Sequence, residues 1–156
     1  MDPVKIMKKR ILIVDDDISL RNELMELLKE ADYDVAVAAD GSEAIDRYSE
    51  PLDLLLLDVN MPGRDRWAAF EYITRMNPCV ATILTSKLGD QFPIASGVGA
   101  GALLEKPLDP EELLRVVEEL LAEPRVNHRL RRQNWRRDAR VVPFTWYVGA
   151  KDTLHD

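Results

Sequence analysis

The chain has 156 residues, of which 46% are hydrophobic and 31% charged, and its formal net charge is −7. This length is enough to bury one domain-sized core without disulfides or metal staples. The single cysteine, Cys79, excludes an intramolecular disulfide. No apolar run approaches the roughly 20 residues that a membrane-spanning helix needs. We therefore expect a cytoplasmic protein that does not span a membrane.

Five short runs predict strands, and two of them, 11–14 and 54–57, predict strands buried on both faces, because each is continuously aliphatic and lacks the polar alternation of a half-exposed strand. In chain order the runs are residues 11–14, 35–39, 54–57, 81–85 and 102–105. Helices are predicted between and after them, at residues 20–28, 41–49, 67–76 and 110–121. One further helix is expected within 88–101, where four glycines and a proline predict that it is short, displaced or mobile.

Alternating strands and helices at this spacing predict an α/β fold with right-handed crossovers. We expect a doubly wound, five-stranded parallel sheet of flavodoxin-like order 2-1-3-4-5, followed by a short C-terminal extension. The charge distribution marks the boundary: residues 1–124 hold 13 basic and 25 acidic side chains, whereas 125–156 hold 8 basic and 3 acidic ones. The predicted domain is 9–123, and the extension is 124–156.

Polar side chains follow the predicted strands where the strands end. Asp15, Asp16 and Asp17 follow the first strand, and Asp58 follows the third. In the predicted order these ends are neighbours, so several carboxylates converge, and a cation is needed to keep them ionised. An oxygen-rich site of this kind suits Mg²⁺. Helix capping is the alternative explanation for Asp17, and equally for Asp109, but it does not account for the other two aspartates after the first strand.

Four segments together resemble the receiver domain of bacterial two-component response regulators, the CheY-like fold. They are Ile11–Asp17, Leu54–Gly63, Ile83–Ser86 and Glu105–Pro107, and the resemblance covers residues 9–123. The segments occur in the family's order, each at the end of a strand. Any one of them is weakly specific, but the set is highly specific.

The resemblance implies a role for each matching position. Asp58 would accept a phosphoryl group from the phosphohistidine of a sensor histidine kinase or phosphotransfer protein. Asp15, Asp16, Asp58 and the backbone carbonyl of Asn60 would bind Mg²⁺, with Asp15 acting mainly through water. Thr85 and Lys106 would hold the phosphoryl group, and the Lys106–Pro107 peptide bond would be cis. The implied function is a phosphorelay switch and not an enzyme that turns over a substrate.

Two positions depart from the family pattern. Leu103 stands where the family carries its switch aromatic, and Arg66 stands where a glycine normally follows the Met-Pro turn. The phosphorylation set is complete, whereas the parts that normally transmit the signal are altered. We therefore predict phosphorylation, whereas signalling through the fifth strand and the segment before it is not expected to take its usual form.

The extension is rich in arginine and has no recognisable nucleic-acid-binding motif or conventional DNA-binding output domain. Its candidate basic patch comprises Arg129, Arg131, Arg132, Arg136 and Arg137. Docking on the acidic domain of this chain or of a second copy, as in a homodimer, is favoured over nucleic-acid binding. Residues 141–148 are expected to form a docked strand or hook, and Pro143 argues against a central strand.

Three other functions remain as alternatives. A regulator could bind nucleic acid through the tail under receiver control, or a pseudo-receiver could act as a constitutive interaction module. A Mg²⁺ phosphohydrolase with an aspartate nucleophile is the third. Such hydrolases need an aspartate two residues after the nucleophile, and here Asn60 holds that place.

Overall fold

A computed structural model describes residues 7–61, 65–87, 98–134 and 146–148. Its strands are β1 (Arg10–Val14), β2 (Asp34–Ala38), β3 (Leu54–Asp58), β4 (Ala81–Ser86), β5 (Ala102–Glu105) and β6 (Trp146–Val148). Its helices are α1 (Ile18–Glu30), α2 (Gly41–Arg47), α3 (Asp65–Met76), α4 (Pro110–Ala122) and α5 (Arg125–Asn134). None of the helices in these ranges is long and apolar enough to cross a membrane.

The sheet is parallel, and its strand order is β2-β1-β3-β4-β5-β6. The five-stranded order 2-1-3-4-5 is therefore confirmed. The extension adds a sixth strand at the edge, where Trp146 pairs with Ala102 and Val148 with Leu104. The expected docked strand is thus present at residues 146–148, and it lies at the edge, where the sheet tolerates a nearby proline.

Two apolar layers enclose the sheet, because successive residues of a strand point to opposite faces. Leu12, Leu55 and Leu57 pack on the face that α2 and α3 cover, together with Phe70 and Ile73 of α3. The opposite face carries Ile11, Ile13, Leu54 and Leu56, which pack with apolar residues of α1 and α4. All five residues of β3 are buried, which places this strand, and the aspartate that ends it, at the centre of the molecule.

The helix starts follow the sequence signals. Asp17, Asp40 and Asp109 cap α1, α2 and α4, and each carboxylate accepts a backbone N–H of the first turn. The capping interpretation of Asp17 and Asp109 is therefore confirmed. The expected helix in 88–101 lies mostly outside the described residues, and residues 98–101 are not helical.

Helix α5 brings the extension back onto the domain. His128 and Arg131 are buried, and Arg125 donates to Asp53 at 2.9 Å. The backbone of α5 also meets the domain at Gly99, whose φ is +73°. A Cβ at this position would lie 2.6 Å from both the carbonyl oxygen of Arg131 and the Cα of Arg132. The expectation that the basic tail docks on its own domain holds for 125–134.

Candidate phosphorylation site

The carboxyl ends of four strands bring the candidate site residues together. Asp58 ends β3, Asp15 follows β1, Thr85 lies near the end of β4, and Lys106 follows β5. Parallel strands place these ends at one edge of the sheet, at the point where the strand order reverses on either side of β1. Five residues from four separate segments of the sequence, Asp16 included, are thereby placed around one point.

Three carboxylates form the acidic part of the site. Oxygen atoms of Asp15, Asp16 and Asp58 all lie within 4.8 Å of one another. Asp15 and Asp58 are each only 2% exposed, whereas Asp16 is exposed. This set of hard oxygen donors, two from buried residues and one open to solvent, fits a Mg²⁺ ion that keeps several of its waters.

Among the described residues, Lys106 supplies the positive charge that contacts the carboxylates of this site. Its Nζ lies 3.0 Å from Oδ2 of Asp15 and 3.3 Å from Oδ2 of Asp58. The lysine side chain is only 8% exposed, so water screens these contacts weakly. Its position is set by the Lys106 N–H, which donates to the carbonyl of Ser86 at 2.7 Å, and the Lys106–Pro107 peptide bond is cis, as the resemblance implied.

Backbone donors orient the two buried carboxylates. The N–H of Asp17 donates to Oδ1 of Asp15 at 2.9 Å, and the N–H of Asn60 donates to Oδ1 of Asp58 at 2.9 Å. Each carboxylate therefore has one oxygen held by a nearby N–H and the other directed at Lys106. Together these contacts hold the side-chain rotamers of Asp15 and Asp58.

Burial and the neighbouring charged and hydrogen-bonding groups together shift the pKa values of Asp58 and Lys106. Burial raises the pKa of Asp58, the charge of Asp15 raises it further, and the Asn60 N–H and Lys106 oppose the rise. Burial lowers the pKa of Lys106, but the hydrogen bond and charge of Asp15, with those of Asp58, raise it above its ordinary value. The lysine is thus held in its charged form beside a carboxylate that has an elevated pKa.

Thr85 is the neighbour of Asp58 across the sheet. The two residues pair in register, and the N–H of Val59 donates to the carbonyl of Thr85 at 2.9 Å. Thr85 is 1% exposed. The pairing places the hydroxyl-bearing residue in the strand next to the carboxylate, as the sequence predicted.

Two further contacts support the site, and sequence reasoning did not predict either of them. Arg21 of α1 donates from Nη1 to the carbonyl of Asp15 at 2.8 Å. Oδ1 of Asn60 accepts the N–H of Lys87 at 2.5 Å, which joins the loop after β3 to the loop after β4. The contact between Asn60 and Lys87 spans 27 residues of sequence and therefore leaves no local pattern.

The two departures from the family pattern occupy different environments. Leu103 is 1% exposed and packs in the layer that contains Leu84 and Leu57. Arg66 donates from Nη1 to the carbonyl of Met61 at 2.5 Å, and its guanidinium lies 5.7 Å from the ring centre of Trp67. An arginine at this position therefore braces the start of α3 against the loop that follows Asp58.

The candidate basic patch of the tail needs correction at two positions. Arg131 is 2% exposed and bonds to Glu123 at 3.0 Å, so it does not belong to a surface patch. Arg132 is half-buried and donates to the carbonyl of Val80 at 2.8 Å. Arg129 is exposed, and Arg136 and Arg137 lie outside the described residues. The arginine count alone could not show which guanidinium groups the domain already uses.

Comparisons with known proteins agree with this geometry. A family profile described as "Response regulator receiver domain" matches residues 11–118. The chain is 36% identical over 118 residues to the chemotaxis protein CheY of Thermotoga maritima, covering 73% of this chain and 96% of that protein. It is 34% identical over 128 residues to the transcriptional regulatory protein CpxR of Escherichia coli K12, covering 81% of this chain but only 51% of that regulator.

Solved structures show the same fold. The response regulator TrrA of Thermotoga maritima, in complex with Mg²⁺-BeF, is 31% identical, with a TM-score of 0.64 over 72% of this chain and 98% of that one. A CheY-like receiver domain protein from Methanospirillum hungatei is 28% identical, with a TM-score of 0.68 over 74% of this chain and 94% of that one.

Proposed function

Because the chain belongs to the response regulator receiver family, we propose that Asp58 accepts a phosphoryl group from the phosphohistidine of a sensor histidine kinase or phosphotransfer protein. The observation that carries this proposal is the contact of the buried Asp58 carboxylate with Lys106, within 4.8 Å of two more carboxylates. The switch operates in the cytoplasm as part of a two-component system.

In the proposed reaction an oxygen of Asp58 attacks the phosphorus of the phosphohistidine. The bond between phosphorus and the imidazole nitrogen breaks, the imidazole leaves with the electron pair, and an acyl phosphate forms on Asp58. Lys106 and the hydroxyl of Thr85 then hold the phosphoryl oxygens as their charge develops. Lys106 is placed for this role because it already contacts Asp58 at 3.3 Å.

Mg²⁺ is the cofactor that the donor set fits. Asp15, Asp16, Asp58 and the carbonyl of Asn60 would hold it. When bound, it would offset the negative charge of the carboxylates and of the incoming phosphoryl group. The protein has to hold the three carboxylates close enough together to bind one ion. The backbone hydrogen bonds to Asp15 and Asp58 orient two of them.

The chain acts as a stoichiometric acceptor and not as a turnover enzyme. Phosphohydrolases with an aspartate nucleophile use a second aspartate two residues later to move the proton of the leaving group. Here Asn60 occupies that position, and its side chain is engaged with the N–H of Lys87. A carboxamide has no proton to exchange at neutral pH, so this side chain supports phosphoryl acceptance without acid–base catalysis.

The experiment is phosphorylation of the full chain by a small phosphodonor such as acetyl phosphate. With Mg²⁺ we expect a mass gain of one phosphoryl group, released by hydroxylamine as an acyl phosphate should be. Asp58→Asn should abolish the gain, and EDTA should suppress it. Asp46→Asn, at an exposed carboxylate of α2, serves as the control and should label like the original chain. Equal labelling of the Asp58 variant would overturn the proposal.

A further inference from the structure

A groove between α3 and α5 concentrates positive charge away from the phosphorylation site. Its cavity has a volume of about 220 Å³, and its charged lining residues are Arg75 and Glu71 from α3 with Arg129 and Arg132 from α5. Arg75 and Arg129 are exposed, and Arg132 is half-buried. The tail helix thus completes a site to which the receiver domain contributes one wall.

The arginines of α5 fall into two groups. Arg125 bonds to Asp53 at 2.9 Å, and Arg131 bonds to Glu123 at 3.0 Å, so these two have carboxylate partners in the domain. Within 7–61, 65–87 and 98–134, neither Arg129 nor Arg132 forms an ion pair. Arg132 instead donates to the backbone carbonyls of Val80 and Pro78. These neutral acceptors position the guanidinium group but leave its charge uncompensated.

The charge balance of the groove is therefore positive. Three guanidinium groups face one carboxylate, that of Glu71, which leaves a formal excess of two positive charges. Burial is the largest effect and lowers the pKa of Arg132 to about 10; the interaction with Cys79 opposes it, and the smaller effect of the Arg131 charge adds to it. A group whose charged form is disfavoured in this way gains from a nearby anion.

We propose that this groove binds a phosphate dianion, either free inorganic phosphate or the terminal phosphate of a small phosphomonoester. A dianion balances the excess of two charges, and the planar forks of the exposed Arg75 and Arg129 each match two phosphate oxygens at once. The cavity is smaller than the roughly 300–1,000 Å³ of sites for drug-sized ligands, so it takes the phosphate and leaves the rest of the ligand outside.

The groove and the phosphorylation site lie at opposite ends of β4. Arg132 bonds to Val80, just before β4 begins, whereas Thr85 lies near its other end. Five residues of extended chain separate the two, a distance of about 16 Å. The groove therefore binds its anion without Mg²⁺ and without Asp58, and its test can be separated from that of phosphorylation.

The test is a ¹H–¹⁵N NMR titration of the full chain in EDTA, with inorganic phosphate in one arm and adenosine monophosphate in another. We expect saturable shifts at the amides of residues 129–133 and 75. Arg129→Gln and Arg75→Gln should each weaken binding about tenfold, since a charge-assisted hydrogen bond is lost at an exposed position that the fold does not need. Arg47→Gln, at an exposed arginine of α2, is the matched control and should bind like the original chain.

The arms distinguish the possible sources of the phosphate. Equal affinity for inorganic phosphate and adenosine monophosphate would show that the phosphate group alone is sufficient. Tighter binding of adenosine monophosphate would show that the rest of the ligand contributes. Either result supports the proposal. Shifts that never saturate, or that persist in both groove variants, would overturn it, because they indicate an adventitious ion only. A third arm uses a short oligonucleotide, whose internal phosphates are monoanionic diesters; preferential binding of the oligonucleotide would also overturn the proposal, in favour of nucleic-acid contact.

Discussion

Lys106 is the residue that links the two buried carboxylates of the site, because its buried ammonium group contacts both of them. The lysine lies 3.0 Å from Asp15 and 3.3 Å from Asp58. Removing one partner of a buried charge cluster leaves the other charges without compensation, and that cost generally exceeds the value of the pair itself. The lysine thus matters for the metal-free fold as well as for its proposed contact with the phosphoryl group.

Lys106→Met should therefore destabilise the metal-free chain on the order of 3 kcal/mol at pH 7, because Asp15 and Asp58 lose their cation. Mg²⁺ should recover much of this loss, since it compensates the same carboxylates. Urea unfolding in EDTA and in Mg²⁺ measures both effects. Lys87→Met, at an exposed lysine, is the control. A Lys106 variant as stable as the original chain in EDTA would contradict the argument.

His128 is a buried histidine whose hydrogen bonds fix its neutral form. Arg131 donates to Nδ1 at 3.2 Å, so Nε2 carries the proton and donates to the carbonyl of Leu120 at 3.1 Å. Burial lowers the pKa of His128 to about 4, and the charges of Arg131, Arg132 and Arg125 act in the same direction. Glu123 lies 3.9 Å from Nδ1 and is the nearby carboxylate.

The docking of α5 should consequently weaken in acid. Between pH 6.5 and about 4 the unfolded state binds a proton that the folded state does not, so stability falls as the pH is lowered through this window. The full effect is on the order of 3 kcal/mol. Hydrogen exchange of residues 125–134 across this pH range measures it. His128→Gln should flatten the dependence, whereas His155→Gln should leave it unchanged; an unaltered profile in the His128 variant would refute the assignment.

At the scale of elements, α5 and the turn before β5 meet backbone to backbone at Gly99. The residue has φ of +73°, and a Cβ would lie 2.6 Å from the backbone of Arg131 and Arg132. Two separate costs follow from any side chain here: a strained backbone, and a clash that pushes the helix away.

Gly99→Ala should cost about 1–3 kcal/mol in the full chain through strain alone, and displacement of α5 should add to that cost. The same substitution in a chain that ends at residue 124 should cost less, because the clash with the helix is absent. Chemical unfolding of the four proteins forms a double-mutant cycle. Equal costs in the two backgrounds would show that the helix does not rest on Gly99.

The elements differ in how much of them the sequence predicted. The central strands were predictable because continuous aliphatic runs such as Leu54–Leu57 have few other stable environments, whereas β2 at the edge of the sheet is only partly buried. The aspartate caps were predictable because capping depends on a contact only two or three residues away. The charge of the tail predicted that it docks, but not that it forms a helix or where that helix rests, because those depend on Gly99, Asp53 and the carbonyl of Val80, which lie far from the tail in sequence.

The site was predictable for a related reason. Its residues occupy strand ends, and the topology alone determines that those ends meet, so Asp15, Asp58 and Lys106 could be grouped before any distance was known. The contacts of Asn60 with Lys87, and of Arg21 with Asp15, depend on loop conformation and rotamer. Sequence patterns carry little information about either.

For the whole molecule, the net charge of −7 conceals an acidic domain and a basic tail that are partly joined. The described tail helix directs Arg125 and Arg131 at domain carboxylates and Arg132 at domain carbonyls. The exposed Arg125 pair contributes little by itself, whereas the buried contacts of Arg131 and His128 dominate the attachment. The tail helix is thus part of the folded receiver and not a free arm.

Truncation after residue 124 should therefore lower the Tm by roughly 5 °C or more, since ~1 kcal/mol corresponds to ~2–4 °C at this size. The shortened chain should still fold, because the CheY relative that matches over 118 residues consists almost wholly of the matched region. Scanning calorimetry measures the shift. A chain that ends at residue 134 keeps α5 and is the control; an unchanged Tm after truncation at 124 would contradict tail docking.

Gly99 also constrains how this protein can diverge. A receiver without a C-terminal helix at this place has no backbone against its surface there, so the position is open to larger residues. In a descendant of this chain, a side chain at position 99 would have to appear together with a rearranged or lost α5. The glycine and the helix should therefore be inherited as a pair, which makes residue 99 a marker for recognising relatives that share this particular arrangement.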